Sequence, residues 1–264
     1  MFKDILIHVD HTPACANRIE AAISLAQRHK ARLTGLLVTA HHSNLWQENP
    51  ERRDEITREK FLCKVSLAGV NVNWKSVDLA HPGISVEEMV GYYSCFTDLM
   101  VIGQFQSGIG DRTVSADFPE RVVLGSGRPV LMIPYVGAYS QIGERIMVAW
   151  KPGPKSTRAL NDAMPLLQNA GHVHILSVGS SVNNQAEREN LCEHLNRHKV
   201  TAKFHNVPQG DLSISEVLLN MVVDEGIDLV VVGAQAQHRR GNPDLGIVGK
   251  SLLKYMTVPV LMSH

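Results

Sequence analysis

Asp10 closes the apolar run Ile5-Leu-Ile-His-Val9. A carboxylate at the end of such a run can accept a hydrogen bond from a base amine or a ribose hydroxyl. A second run, Leu99-Met-Val-Ile102, ends at Gly103 and opens into Gly103-Gln-Phe-Gln-Ser-Gly-Ile-Gly-Asp-Arg112. Glycines leave backbone N–H groups accessible, and an arginine adds a fork of donors, so this segment can cradle a phosphate. The candidate ligand-binding residues in this half are Asp10, Gly103, Gly108, Gly110 and Arg112, with Val38 at the end of an intervening apolar run. Gly233 and Gly246 stand in a comparable setting after Leu229-Val-Val-Val232. Gly103 and Gly233 also have a plainer reading, in which each only lets the chain turn sharply after a buried strand.

Other chemistries find less support. There are thirteen histidines, but His41-His42 are adjacent rather than four apart, and no cysteine or carboxylate stands at ligand spacing from them. No metal site and no catalytic residue is therefore expected. Nucleophile-elbow, P-loop and HExxH patterns are absent. Glu87-Glu88 read as solvated helix residues rather than a catalytic pair. Arg239-Arg240, with His238 and Lys250 nearby, form a small basic spot in a solvated loop, and Trp150 beside Lys151 reads as a core tryptophan.

The elements that would carry these residues alternate. Ile19, Ala22, Ile23 and Ala26 recur at helical spacing, predicting a helix over Pro13–His29 between strands Ile5–Val9 and Leu33–Val38. Glu51–Leu67 reads as a charged helix that buries Ile56, Phe61 and Val65. A strand at Val70–Val77, a helix at Pro82–Tyr93, strand Leu99–Ile102, a helix near Phe118–Leu124 and strand Val130–Ile133 follow. The second half repeats this order. Strands are expected at Arg145–Trp150, Val173–Val178, Thr201–Val207, Leu229–Val232 and Val258–Met262. Helices are expected at Lys155–Asn169, Asn183–Arg197, Leu212–Val223 (capped by Gly210-Asp211) and Ile247–Met256. Alternating strands and helices imply βαβ crossovers and parallel sheets.

The repetition extends to the letters. Thr97-Asp-Leu-Met-Val-Ile-Gly103 returns as Ile227-Asp-Leu-Val-Val-Val-Gly233, and Arg128-Pro-Val-Leu-Met-Ile-Pro134 as Val258-Pro-Val-Leu-Met-Ser-His264. A repeat this long is a whole domain, so the chain is read as a tandem duplication, residues 1–136 and 143–264, with about ten extra residues in the first copy around His41–Arg53. Lys+Arg and Asp+Glu are both 26, and this zero formal charge argues against nucleic acid as a partner. Four cysteines without CxxC spacing suit a reducing compartment. No apolar run is long enough to span a bilayer, and Met1-Phe-Lys-Asp leads straight into a strand, so a cytoplasmic location is expected.

With the opening strand and Asp10, the two D-L-x-V-x-G segments and the closing strands after Pro129 and Pro259, the chain resembles the universal stress protein family, specifically its tandem two-domain members, over nearly its whole length. The resemblance implies an α/β fold of two tandem five-stranded parallel-sheet domains. They are of the Rossmann-like, adenine nucleotide alpha hydrolase-like type, with strand order 3-2-1-4-5 and a ligand position between strands one and four. It also implies that the closing strands pair in an intramolecular pseudo-dimer, with a homodimer of whole chains open. ATP-binding members carry an Asp at the end of strand one and G-x2-G-x9-G-[S/T] after strand four. Here Gln106, Ala116 and Asp117 replace the later positions in the first copy. In the second copy Lys151 replaces the Asp, and Ala236 and Ile247 break the pattern around Gly233 and Gly246. Neither copy has the full set. The expectation is a stress-response protein that is not an enzyme, a small-ligand-binding or regulatory module with degenerate nucleotide sites. Its implied partners are a small-molecule ligand or a regulatory protein. ATP or another adenine nucleotide is the implied cofactor. Two alternatives stay open: an ATP-binding protein with slow hydrolysis or self-phosphorylation, and a ligand-free scaffold acting through protein contacts.

Overall fold

The computed structural model describes residues 1–39, 50–79, 83–106, 114–179, 185–208, 210–239 and 242–264. Two compact units divide the chain, Met1–Ser140 and Gln141–His264. In the first, β1 (Asp4–Val9), α1 (Cys15–His29), β2 (Arg32–Thr39), α2 (Pro50–Leu67) and β3 (Val72–Asp78) precede α3 (Val86–Ser94), β4 (Leu99–Gly103), α4 (Phe118–Gly125) and β5 (Val130–Ile133). The strands are parallel and ordered β3-β2-β1-β4-β5, with Ile5 opposite both Leu33 and Leu99. This is the expected order, and it leaves a crevice between the carboxyl ends of β1 and β4. Right-handed crossovers put α1 and α2 on one face and α3 and α4 on the other, and α3 packs on α4.

The second unit repeats the plan with β6 (Arg145–Ala149), α5 (Pro154–Leu167), β7 (His172–Val178), α6 (Gln185–Arg197), β8 (Ala202–Val207), α7 (Ile214–Asp224) and β9 (Leu229–Gly233). A two-stranded hairpin follows, β10 (Ala236–Arg239) and β11 (Asn242–Leu245), then α8 (Ile247–Tyr255) and β12 (Val260–Ser263). The main sheet of this unit is again parallel, running β8-β7-β6-β9-β12.

The repeated Asp before β4 and β9 has a structural reason. Asp98 Oδ2 accepts hydrogen bonds from the Lys3 and Asp4 backbone N–H groups, at 2.6 and 3.1 Å. Asp228 does the same for Gly143, Glu144 and Arg145, at 2.9–3.1 Å. Each carboxylate pins the start of the neighbouring first strand and satisfies N–H groups that no ladder reaches.

Three local expectations are corrected. The caps of α3 and α7 are Ser85 and Ser213, each in a reciprocal capping box with Glu88 or Glu216, so Gly210-Asp211 lies before the cap and Glu88 is structural. On α1 the buried stripe takes in Ala22, Ile23 and Ala26 as expected, together with Arg18, Leu25 and His29, and only Ile19 departs, being half-buried. On α2, Phe61 and Val65 are buried but Ile56 is 41 % exposed. Among the described residues no helix is long and apolar enough to cross a membrane.

His29 sits on that buried stripe, its ring against Phe2 and neither ring nitrogen hydrogen-bonded. Burial first, then the positive charges of the amino terminus and Arg28, push its pKa down to about 4. The unfolded chain, titrating near its ordinary value of about 6.5, binds more protons between the two values. Stability is therefore complete above that value and falls as pH drops through this window. The urea midpoint should fall between pH 7.5 and pH 4.5, and His29→Leu should make that fall measurably shallower.

Candidate functional site

In the first unit the crevice is occupied by the protein's own side chains. The chain leaves β1 at Asp10 and turns, and Asp10 Oδ1 accepts hydrogen bonds from Thr12 N (2.9 Å) and Thr12 Oγ1 (2.6 Å). Its other oxygen, Oδ2, accepts from Arg18 Nη2 at 2.7 Å. Arg18 projects from the first turns of α1 and is only 3 % exposed. The buried imidazole of His8 lies 4.0 Å from the same oxygen. Burial alone would raise the Asp10 carboxyl. The charge of Arg18, then that of His8 and the bonds from Thr12, outweigh it and hold the group far below the usual carboxylate range. Asp10 is thus ionised, paired and nearly saturated, with three hydrogen bonds already accepted.

Gly103 belongs to this arrangement. A Cβ there would collide with Arg18 Nη1, so the missing side chain at the end of β4 is what lets the guanidinium lie over the strand end. A cavity of about 40 Å³ remains beside the pair, bounded by His8, Asp10, Arg18, Gln104, Phe105 and Phe118. That is room for a water or a single-atom ion, against roughly 300–1,000 Å³ for a small-molecule pocket. Val38 is buried in β2 opposite Val77 and does not line this cavity. Gly108, Gly110 and Arg112 lie outside the described residues, as do His41 and His42. At the start of α4, where a phosphate would meet a helix end, the Asp117 carboxylate is paired with Arg121 at 2.6 Å, and Arg121 also reaches Glu87 at 3.0 Å.

A larger space opens on the other side of Asp10. An open groove of about 1,420 Å³ runs between α1 and α2, walled by Asp10, Thr12, Ile19, Ile56, Lys60 and Lys64 among others. His11 ties the turn after β1 to α2 through Asp54 Oδ1 (2.8 Å) and Thr57 Oγ1 (3.1 Å).

The second unit fills its crevice by other means. The first turn of α5 is seated on Gly233: a Cβ there would stand 2.6 Å from the Lys155 carbonyl carbon and 2.8 Å from Ser156 N. Lys155 Nζ lies 3.0 Å from His264 Nδ1, and that ring nitrogen is 3.1 Å from the Ala234 carbonyl. The segment after β9 is the antiparallel hairpin β10–β11, with Ala236 opposite Leu245 and Gln237 opposite Asp244. Backbone groups that an open phosphate loop would present are engaged in a ladder instead. Gly246 N donates to Gln235 O at 2.7 Å, so its N–H is also taken. Gly246 therefore serves as the entry to α8 and Gly233 as a packing contact. Trp150 is half-buried rather than core, its Nε1 donating to Glu187 Oε1 at 3.0 Å.

Residue motifs did not reveal Arg18, Lys155 or His264. Arg18 did leave a signal, a cation on the apolar stripe of a helix eight residues after a strand-end Asp. The hairpin left none, because Pro243 argues against a strand and only an edge position tolerates it.

No protein-family model and no curated protein matches the sequence. Solved structures match over the whole chain. A universal stress protein from Archaeoglobus fulgidus DSM 4304 superposes with a TM-score of 0.73 at 15 % identity, covering 98 % of this chain and 97 % of that one. A putative universal stress protein from Pseudomonas aeruginosa UCBPP-PA14 gives 0.65 at 13 % identity, covering 99 % and 93 %. A functionally unknown protein from Pseudomonas aeruginosa PAO1 gives 0.65 at 12 % identity, covering 99 % and 92 %. At these identities what is shared is the fold. The chain has the α/β, Rossmann-like fold of the universal stress proteins, present twice.

Proposed function

We propose that this chain is a stress-response protein of the universal stress type that works as a regulatory, ligand-binding module and does not turn over ATP. The observation that carries this reading is Arg18. Its guanidinium is buried on Asp10 and over Gly103, so the place where the resemblance puts an adenine nucleotide holds a protein cation instead. Displacing it would strand a buried charge, which costs several kcal/mol per ion before any ligand contact is made. In the second unit the seat of α5 on Gly233 and the hairpin after β9 argue the same way.

A small molecule would bind in the first unit in the groove between α1 and α2, where Lys60 and Lys64 favour an anionic ligand and Ile19 and Ile56 supply apolar contact. Occupancy there would shift the position of α2 and so alter what a protein partner meets. Incubation of the purified chain with ATP and Mg²⁺ should release phosphate no faster than buffer. Steady release by the wild-type chain, co-purifying with it and above the buffer rate, would reverse the proposal in favour of slow hydrolysis.

A further inference from the structure

The second unit gathers two imidazoles and a carboxylate at the β7–β8 edge of its sheet, with β6 between it and Gly233 on β9. His174 is the third residue of β7, and His205 lies on the adjacent β8. In the β7–β8 register His174 faces Lys203, and His205, two residues on, shares the face of Lys203. His174 Nδ1 and His205 Nε2 are 3.0 Å apart. Glu225 comes from a third element, at the carboxyl end of α7. Its backbone N–H is bonded to Met221 and Val223, and its carbonyl accepts from Arg145 Nε at 2.8 Å. Its carboxylate stands 3.7 Å from His174 Nδ1 and 3.9 Å from His205 Nδ1.

One ligand atom from each of the three residues falls within 4.8 Å of the others. We propose that His174, His205 and Glu225 form a binding site for a divalent transition-metal ion of the zinc class, separate from either strand-end crevice.

The spacing is near what such an ion requires, while the rings, nearly parallel at 12° and joined by a hydrogen bond, must turn for both lone pairs to meet it. With metal–nitrogen bonds of about 2.0–2.1 Å, two nitrogens 3.0 Å apart subtend roughly 90° at the metal. An opening of a few tenths of an ångström brings them to tetrahedral spacing. Two imidazoles and one carboxylate favour zinc, nickel, cobalt or copper over magnesium or calcium.

The cluster already attracts a cation, because Lys203 Nζ lies 3.0 Å from Glu225 Oε1. Lys203 is 63 % exposed along its side chain and can swing into solvent when an ion takes its place. His174 is buried while His205 and Glu225 reach the surface, which leaves an entry path and room for water as the remaining ligand.

The test is a Zn²⁺ titration of chelator-stripped full-length protein at pH 7.5 against a chromogenic chelator, repeated with Co²⁺ to read the visible bands of coordinated metal. Wild type should take up one equivalent at about micromolar Kd or tighter. His205→Gln and Glu225→Gln should each weaken it by at least about tenfold, and Lys203→Met should hold or tighten it. Circular dichroism confirms folding, and either weakened variant that folds like wild type suffices. Wild-type affinity unchanged in a folded His205→Gln or Glu225→Gln variant would overturn the site, because the zinc would then sit among other histidines. Failure of wild type to bind would overturn it outright.

Discussion

Asp10→Ala should destabilise the first unit by about 3–5 kcal/mol, the cost of leaving a buried charge without its partner. Arg18 cannot escape the loss. It is 3 % exposed, and its Nε has no hydrogen-bond partner among the described residues. A guanidinium does not neutralise in response, because its intrinsic pKa lies too far above neutral for burial to strip its proton. Replacing both partners, Asp10→Ala with Arg18→Met, should recover most of the loss, since an apolar pair of similar volume removes the stranded charge. Urea unfolding of the three variants measures this directly. If Asp10→Ala falls within about 0.5 kcal/mol of wild type, the range of an ordinary surface substitution, the pair is not the buried bridge described here. Acid adds a second check. The folded pKa of Asp10 is depressed, so its contribution is complete above the unfolded value of about 3.9 and drains away only below it, whereas the His29 loss is spent between about 6.5 and about 4.

Gly233→Ala should cost the second unit about 3 kcal/mol, at the upper end for overpacking. The added methyl would meet main chain, the Lys155 carbonyl at 2.7 Å and Ser156 N at 2.8 Å, and main chain cannot swing aside as a side chain can. Relief requires lifting the start of α5, which would also pull Lys155 from His264. Gly103→Ala is the informative contrast. There the obstacle is the end of the Arg18 side chain, so pairing Gly103→Ala with Arg18→Met should be milder than Gly103→Ala alone. Thermal unfolding followed by circular dichroism would show the Gly233→Ala loss as a lower or split transition. An unshifted curve would mean that α5 is not seated on Gly233.

The duplication made the architecture legible. Asp98 and Asp228 mark the same clip on the same strand start in both units, and the apolar runs that follow them are the buried β4 and β9. Element boundaries shifted where local chemistry outweighed pattern, as at Ser213, whose reciprocal bonds with Glu216 define the start of α7 better than Asp211 two residues earlier. The site was harder to read. A motif can mark Asp10 as a possible acceptor, but only the fold reveals that α1 turns Arg18 back onto it. His174, His205 and Glu225 are far apart in sequence and meet through strand pairing and a helix end, so spacing rules for metal ligands pass over them. The segment around His238-Arg239 reads as a solvated loop, yet a hairpin forms there, Ala236–Arg239 against Asn242–Leu245.

The central claim is that the protein's own residues fill both crevices where an adenine nucleotide would lie. Isothermal calorimetry of ATP, ADP and AMP, with Mg²⁺, on protein stripped of carried-over nucleotide tests it most directly, with Asp10→Ala and Gly233→Ala run alongside. The account predicts no binding to wild type tighter than about millimolar, a threshold of roughly 4 kcal/mol. Micromolar binding to wild type would contradict it, and its loss in whichever of these variants still shows folded circular dichroism would place the nucleotide in that variant's unit.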